Sequence, residues 1–250
     1  MNRYLYDSAY LDTVYSLFAD TKRRSYELLR ISPGDRIFEI GCGNGKDAAA
    51  LAEMGATVLG IDCHEEFLRD AARLMCKGLR LDFLCSEADC IDRPDESADK
   101  IRFDRVFQHL TNPKAVLSEA KRLLKSGGKC QVIDVDYFGM TIFPCDAALE
   151  RTVVDSVARV RYPNAHNVRA LPTMLSDTGF VVTEIEVRPF VVDDYSTGKF
   201  LIRFDTVVDQ LLRSGQITTT QHAIWQRYEE SIEATFRLTI PQIIFMASKP

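Results

Sequence analysis

Two carboxylates bracketing three glycines are the residues of this chain best placed to do chemistry. Residues 36–47 read Arg-Ile-Phe-Glu-Ile-Gly-Cys-Gly-Asn-Gly-Lys-Asp. Arg36 to Ile40 predicts a buried strand, Gly41, Gly43 and Gly45 a tight loop, and Lys46 to Met54 a helix stopped by Gly55. A strand, a glycine loop and a helix bring backbone close to a ligand, because no Cβ stands in the way. Ala56 to Asp62 predicts a second strand that ends in a carboxylate. Asp62 lies roughly 20 residues past the loop, where a βαβ nucleotide fold places its ribose-binding acid.

The spacing separates two kinds of nucleotide ligand. A dinucleotide site of the form G-x-G-x-x-G needs its third glycine at position 46, where this chain has Lys46; the third glycine comes one residue early, at Gly45. Glu39, at the end of the first strand, would repel a pyrophosphate but suits a cationic ligand. Further candidates stand at later strand ends. Gln108 and His109 follow the fourth strand, and Asp134, Asp136 and Tyr137 close the fifth. The two aspartates are two residues apart and so share a face if the strand reaches that far. Each candidate also has a plain structural explanation. His109 fits a helix residue bonded to backbone, Gln108 an exposed side chain, and the aspartates solvated strand-end acids. His166 reads as a loop histidine and His64 as a surface one.

Strands and helices alternate around these residues. Strands are expected at 79–85, 99–103, 129–135, 181–187 and 242–247 in addition to the first two. Helices are expected at 2–30, 65–77, 113–125, 145–160, 169–178, 197–213 and 218–235. Asn112-Pro113 is a strong helix start, and Gly127-Gly128 ends that unit. This alternation implies a mostly parallel sheet covered on both faces. The 250 residues suit one α/β domain with insertions.

Composition narrows the function. The apolar fraction of 46% and charged fraction of 27% are those of a globular protein. The net charge of −5, without a Lys/Arg cluster, argues against a nucleic-acid partner. No apolar run reaches the length of a membrane span, and Met1 to Asp7 lacks a signal core. The seven cysteines, at 42, 63, 76, 85, 90, 130 and 145, form no C-x-x-C pair, and the four histidines have no metal-ligand spacing. Neither a disulfide framework nor a bound metal is expected, and a cytoplasmic location fits best.

The pattern Glu39-x-Gly41-x-Gly43-x-Gly45 resembles motif I of the class I S-adenosylmethionine (SAM)-dependent methyltransferases. Residues 103–128 resemble a second block of that family: a strand, a His plus Asn-Pro turn, a helix ending Arg-Leu-Leu-Lys, and Gly-Gly. Ser126 stands where the family usually has proline. The resemblance is strong over about 30–140 and is closest to small-molecule enzymes of ubiquinone, menaquinone and natural-product biosynthesis. It implies a Rossmann-like seven-stranded sheet in the order 3-2-1-4-5-7-6, with the last strand antiparallel. SAM is the implied cofactor, and Glu39 would face its methionine amino end while Gly41 and Gly43 admit it. Asp62 would hold the ribose, Cys63 would lie where adenine packs, Asp89 and Cys90 would form the adenine-side turn, and Arg102 would stand beside the methionine moiety. Tyr6, in a tyrosine-rich N-terminus, would close over the sulfonium.

Methyl transfer from a sulfonium is an in-line displacement that needs alignment more than a base. The candidate catalytic set is His109, Gln108, Asp134 and Tyr137. A small, mostly apolar or aromatic acceptor is expected under a roof built from 1–30, 138–170 and 192–238. Tyr6, Tyr10, Phe138, Phe143, Phe200 and Phe204 are its expected wall residues. A homodimer is compatible with the sequence. The competing readings are a non-methylating SAM enzyme, a non-catalytic SAM-binding protein and, least favoured, an NAD-dependent dehydrogenase.

Overall fold

The computed structural model describes residues 7–143, 145–230 and 236–250. Its centre is a sheet of eight strands: β1 (Arg36–Ile40), β2 (Thr57–Asp62), β3 (Leu81–Cys85), β4 (Ala98–Asp104), β5 (Leu124–Val135), β6 (Thr141–Phe143), β7 (Val181–Val192) and β8 (Arg237–Ser248). The long strands run β3-β2-β1-β4-β5-β8-β7, the order expected from the sequence, with β8 antiparallel to both neighbours. The additional short strand β6 pairs with Arg237–Thr239 of β8, in line with the end of β5.

The helices are α1 (Ser8–Leu17), α2 (Ala19–Leu29), α3 (Lys46–Glu53), α4 (Glu65–Ala71), α5 (Pro113–Leu123), α6 (Ala147–Arg161), α7 (His166–Asp177), α8 (Tyr195–Ile202), α9 (Phe204–Arg213) and α10 (Thr219–Glu230). The expected helix over 2–30 is divided at Phe18, whose φ of −96° and ψ of 17° leave helical geometry. The Asn112 side chain caps α5 by accepting from the Ala115 N–H, with Pro113 at the first helical position.

β7 and β8 run further than their sequences suggest. Pro189 and Pro241 are partners in the β7–β8 ladder. Proline normally argues against a strand interior. Here β7 lies at the sheet edge, and Pro241 lies just past the last β5 partner, Gln242, so neither ring displaces a neighbouring strand.

Apolar side chains from β1, β4 and β5 meet α5 and α7 on one face of the sheet; Leu117, Leu171 and Leu175 have no exposed surface. On the other face Leu29, Leu51 and Ile244 are equally buried. A third cluster stands apart from these layers. Val14 of α1, Val153 and Val157 of α6, Val208 of α9, Trp225 of α10 and Leu238 of β8 pack together in it. The segments outside the strand–helix alternation thus share a core, which sits over the carboxyl ends of the central strands.

Candidate active site

A cavity of about 680 Å³ opens where the carboxyl ends of β1, β2 and β4 meet this helical cover. Open α/β sheets place ligands at this position. The glycine loop forms one wall. Gly41, Gly43 and Gly45 have φ values of 75°, 51° and 80°, a region that penalises any side chain. A Cβ on Gly41 would stand 2.4 Å from Val106 Cγ2, and one on Gly45 2.7 Å from Phe83 Cζ. The N–H groups of Gly41 and Cys42 both donate to the Ile61 carbonyl, at 2.7 and 3.0 Å, which ties the loop to β2.

Asp62 stands across the loop. Its Oδ2 accepts from the Gly43 N–H at 2.8 Å and its Oδ1 from the His64 N–H at 2.9 Å. His64 Nδ1 also lies 3.1 Å from Oδ1, so Oδ2 is the oxygen that retains capacity for a ligand. Cys63 and Asp89 also line this end of the cavity.

Glu39 lies 1% exposed at the base of the cavity. Its Oε1 accepts from Arg102 Nη1 at 2.5 Å, while its Oε2 has no hydrogen-bond partner. Burial pushes its carboxyl up, and the Arg102 guanidinium pulls it back toward the ionised form. Around the pair sits a network in which three carboxylates, Glu39, Asp47 and Asp104, face three cations, Lys22, Arg102 and Arg105. Lys22 Nζ lies 2.5 Å from Asp47 and 2.7 Å from Asp104. Arg102 also reaches Asp104 at 2.9 Å, Gln131 Oε1 at 3.2 Å and Ser25 Oγ at 3.2 Å. Burial alone would raise Asp104, yet Lys22, Arg105 and Arg102 hold its carboxyl well below the usual range. The network joins α2, β1, α3, β4 and β5 beneath the cavity.

The opposite end of the cavity is aromatic and weakly polar. Tyr137 and Tyr162 stack with ring centroids 3.7 Å apart. Tyr10, Val14, Phe18, Leu201 and Ile240 complete the wall. Gln108 and His109 face this end from the turn after β4. Gln108 Nε2 lies 3.0 Å from His109 Nε2 and 3.3 Å from the Arg105 carbonyl. As a donor to both, it makes His109 Nε2 an acceptor. Burial, with Arg105 nearby, lowers His109 to about 4, so the imidazole is neutral at pH 7. Helix α1 bridges the cavity mouth. Asn44 Nδ2 donates to Asp12 Oδ1 at 2.6 Å, Lys46 pairs with the same oxygen at 2.8 Å, and Ser8 donates to Asp70.

Several sequence candidates stand elsewhere. Arg102 has no exposed surface and spends its donors on the network behind the cavity. Asp134 is also fully buried; it accepts from the Gln108 and Val135 N–H groups at 3.2 and 2.8 Å and so braces the Gln108 turn from behind. Cys90 lies off the cavity, and its carbonyl accepts from Ser86 Oγ. Tyr6 lies outside the described residues. Among the expected wall residues, Tyr10 lines the cavity. Phe204 instead anchors the cover's core, Phe143 is 55% exposed and Phe200 40% exposed, and Phe138 packs between Arg159 and Arg169. Asp136 accepts from Arg169 Nε and Nη2, at 2.8 and 2.9 Å. Asp47, Asp104, Arg105, Tyr162 and the α1 contacts were not singled out from the sequence. Lys22, Ser25, Tyr26 and Leu29 on one helical face held a signal, because a lysine within a core-facing stripe requires a buried acid.

Comparison with known proteins agrees with this arrangement. Residues 38–132 match the model of a methyltransferase domain. An uncharacterised 37.1 kDa protein from a Streptomyces fradiae transposon is 26% identical over 222 residues, covering 87% of this chain and 64% of that protein. A ubiquinone biosynthesis O-methyltransferase of Dinoroseobacter shibae is 39% identical over 97 residues, covering 38% of this chain and 39% of the enzyme. The chain thus spans less than two thirds of the length of these curated relatives. The crystal structure of a putative methyltransferase from Bacillus halodurans superposes with a TM-score of 0.68 at 17% identity, covering 92% of this chain and 99% of that one. Residues 38–132 thus carry the match to a methyltransferase domain, and the fold around them is that of the solved methyltransferase. Among the described residues, no helix is long and apolar enough to cross a membrane.

Proposed function

We propose that this protein transfers a methyl group from SAM to a small, mostly apolar or aromatic metabolite. The observation that carries this reading is the continuity of one cavity, from Asp62 and the glycine loop to the Tyr137–Tyr162 stack. SAM supplies a methyl group already activated on a sulfonium. The buried Glu39 Oε2, without a partner, suits the methionine ammonium, and Asp62 retains acceptor capacity for ribose hydroxyls. The positive-φ loop lets backbone approach the ligand closely.

The remaining residues align and enclose. The buried network holds Glu39, β4 and α3 in fixed register, so that proximity and orientation supply most of the rate; such positioning is worth roughly 7–11 kcal/mol. His109 and Gln108 stand at the acceptor end. An imidazole with a pKa of about 4 is a weak base at neutral pH. Its Nε2 is taken by Gln108, so its better use is to hold the methyl acceptor in line by donating from Nδ1–H. The apolar wall favours a small molecule over a polymer. Helix α1 is fastened by partly exposed contacts, each worth roughly 0.2–1 kcal/mol, which suits a cover that must open for exchange.

The test is transfer of radiolabelled methyl from SAM into an extract of small metabolites, compared with protein and RNA fractions. Label in an organic-soluble product supports the reading. Label confined to macromolecules, or SAM binding without any transfer, contradicts it.

A further inference from the structure

The ribose end of the cavity carries a second set of chemically matched groups. Asp62, Cys63 and His64 are consecutive, and the turn between β2 and α4 brings their donor atoms together. His64 Nδ1 lies 3.1 Å from Asp62 Oδ1 and 3.3 Å from Cys63 Sγ. All three atoms fall within 4.8 Å of one another. Tetrahedral zinc, with bonds of about 2.0–2.3 Å, separates its donors by about 3.3–3.7 Å. The two His64 spacings therefore need only tenths of an ångström of adjustment. The turn is not buried: Cys63 is exposed and the His64 side chain is 42% exposed, so a hydrated cation has a path in. Glu65, Glu66, Glu87 and Asp89 line the same end of the cavity, with Arg69 as the cation among them. This acidic rim raises the local concentration of divalent ions.

We propose that Asp62, Cys63 and His64 form a three-ligand site for a soft divalent cation of the zinc type, whose occupation excludes the nucleoside of the cofactor. Carboxylate, thiolate and imidazole are a donor set suited to zinc or cobalt and poorly suited to magnesium or calcium. The fourth coordination position opens into the cavity. Metal binding releases the Cys63 thiol proton to solvent and leaves His64 neutral, with its Nδ1 lone pair on the metal. The Asp62–His64 hydrogen bond is given up in exchange. The exclusion of cofactor rests on the assignment of Asp62 to ribose; the metal site itself does not.

Cobalt(II) is the probe, because it replaces zinc and reports its ligands by absorption. The purified full chain, free of reductant and chelator, is titrated with cobalt and then with zinc. The expected result is one equivalent bound, with tetrahedral d–d bands and a thiolate-to-cobalt charge-transfer band, both bleached by zinc. Cys63→Ser should remove the charge-transfer band, His64→Ala should weaken binding at least tenfold, and Cys90→Ser should change neither. Circular dichroism of each variant checks folding. Absence of the thiolate band, or its survival in folded Cys63→Ser, overturns the proposal. In parallel, calorimetry measures SAM binding to metal-free protein and to protein saturated with zinc. An affinity at least tenfold weaker with zinc supports the exclusion; equal affinity overturns it. If the cobalt bands appear as expected but metal-free protein binds no SAM, the metal site stands and the cofactor assignment is what fails.

Discussion

Arg102 and Glu39 form an ion pair of 2.5 Å in which neither side chain is more than 1% exposed. The guanidinium is shared with Asp104, so Arg102 neutralises two acids at once. Removing one member of such a set strands the others in a low-dielectric interior. Arg102→Met should therefore destabilise the protein by about 3–5 kcal/mol. Urea denaturation measures this directly, and Arg102→Lys should recover only part, since an ammonium lacks the planar fork. A loss below 1 kcal/mol would show that the network rearranges freely.

Asp62 does two jobs, which changes what its removal should do. It closes the glycine loop through the Gly43 N–H as well as facing the cavity. Asp62→Ala should weaken SAM binding at least tenfold. It should also cost about 1.5–3 kcal/mol of stability through the lost charge-assisted bond. Calorimetry on the folded variant decides the first part, and unchanged affinity would remove Asp62 from the ribose role.

The α1 clasp can be loosened without touching the cavity floor. Asp12 holds both Asn44 and Lys46. Asp12→Ala should lower stability by less than about 1 kcal/mol while raising the SAM dissociation rate several-fold in stopped-flow measurements. An unaltered rate would mean that ligands pass by another route. Deleting α1 outright is a harsher test, because Val14 belongs to the core of the cover.

For His109, the depressed pKa sets the pH behaviour. The neutral form is favoured by folding, so the unfolded chain binds the extra proton between the ordinary value of 6.5 and about 4. Its contribution to stability is full above pH 6.5 and is lost as pH falls toward 4. His109→Gln should flatten that part of the stability–pH curve. If His109 positions the acceptor, the same variant should retain much of kcat while His109→Ala loses about tenfold or more.

Asp134 should behave in the opposite sense. Burial raises its carboxyl to about 7, although two backbone N–H bonds oppose the shift. The folded state holds the extra proton between the ordinary value of 3.8 and about 7, so this stabilisation is full below 3.8 and is lost as pH rises through 7. The melting temperature of Asp134→Asn relative to wild type should therefore increase from pH 4 to pH 8. A constant difference would indicate that Asp134 stays ionised throughout.

The local pattern of residues determined the mostly parallel sheet covered by helices and the glycine-loop end of the cavity, while the strand order was what the family resemblance implied. Glycine spacing, strand-end acids and the Asn112-Pro113 cap act over a few residues, and their physics is visible in one dimension. Cys63, Asp89, Gln108, His109 and Tyr137 also reach the cavity as their strand ends suggested. Only tertiary structure decided that Arg102 and Asp134 work from behind the wall, because Arg102 goes where distant carboxylates neutralise it and Asp134 where backbone N–H groups meet it. Lys22, Asp47 and Asp104 come from three separate elements to join the Arg102 network. The aromatic end was equally hidden. Tyr162 caps the end of α6 and Phe200 lies within α8, and the packing of these helices in the cover brings Tyr162 to the cavity and leaves Phe200 40% exposed. Which face of an added helix meets a ligand depends on how the cover packs against itself, and local sequence period does not encode that choice.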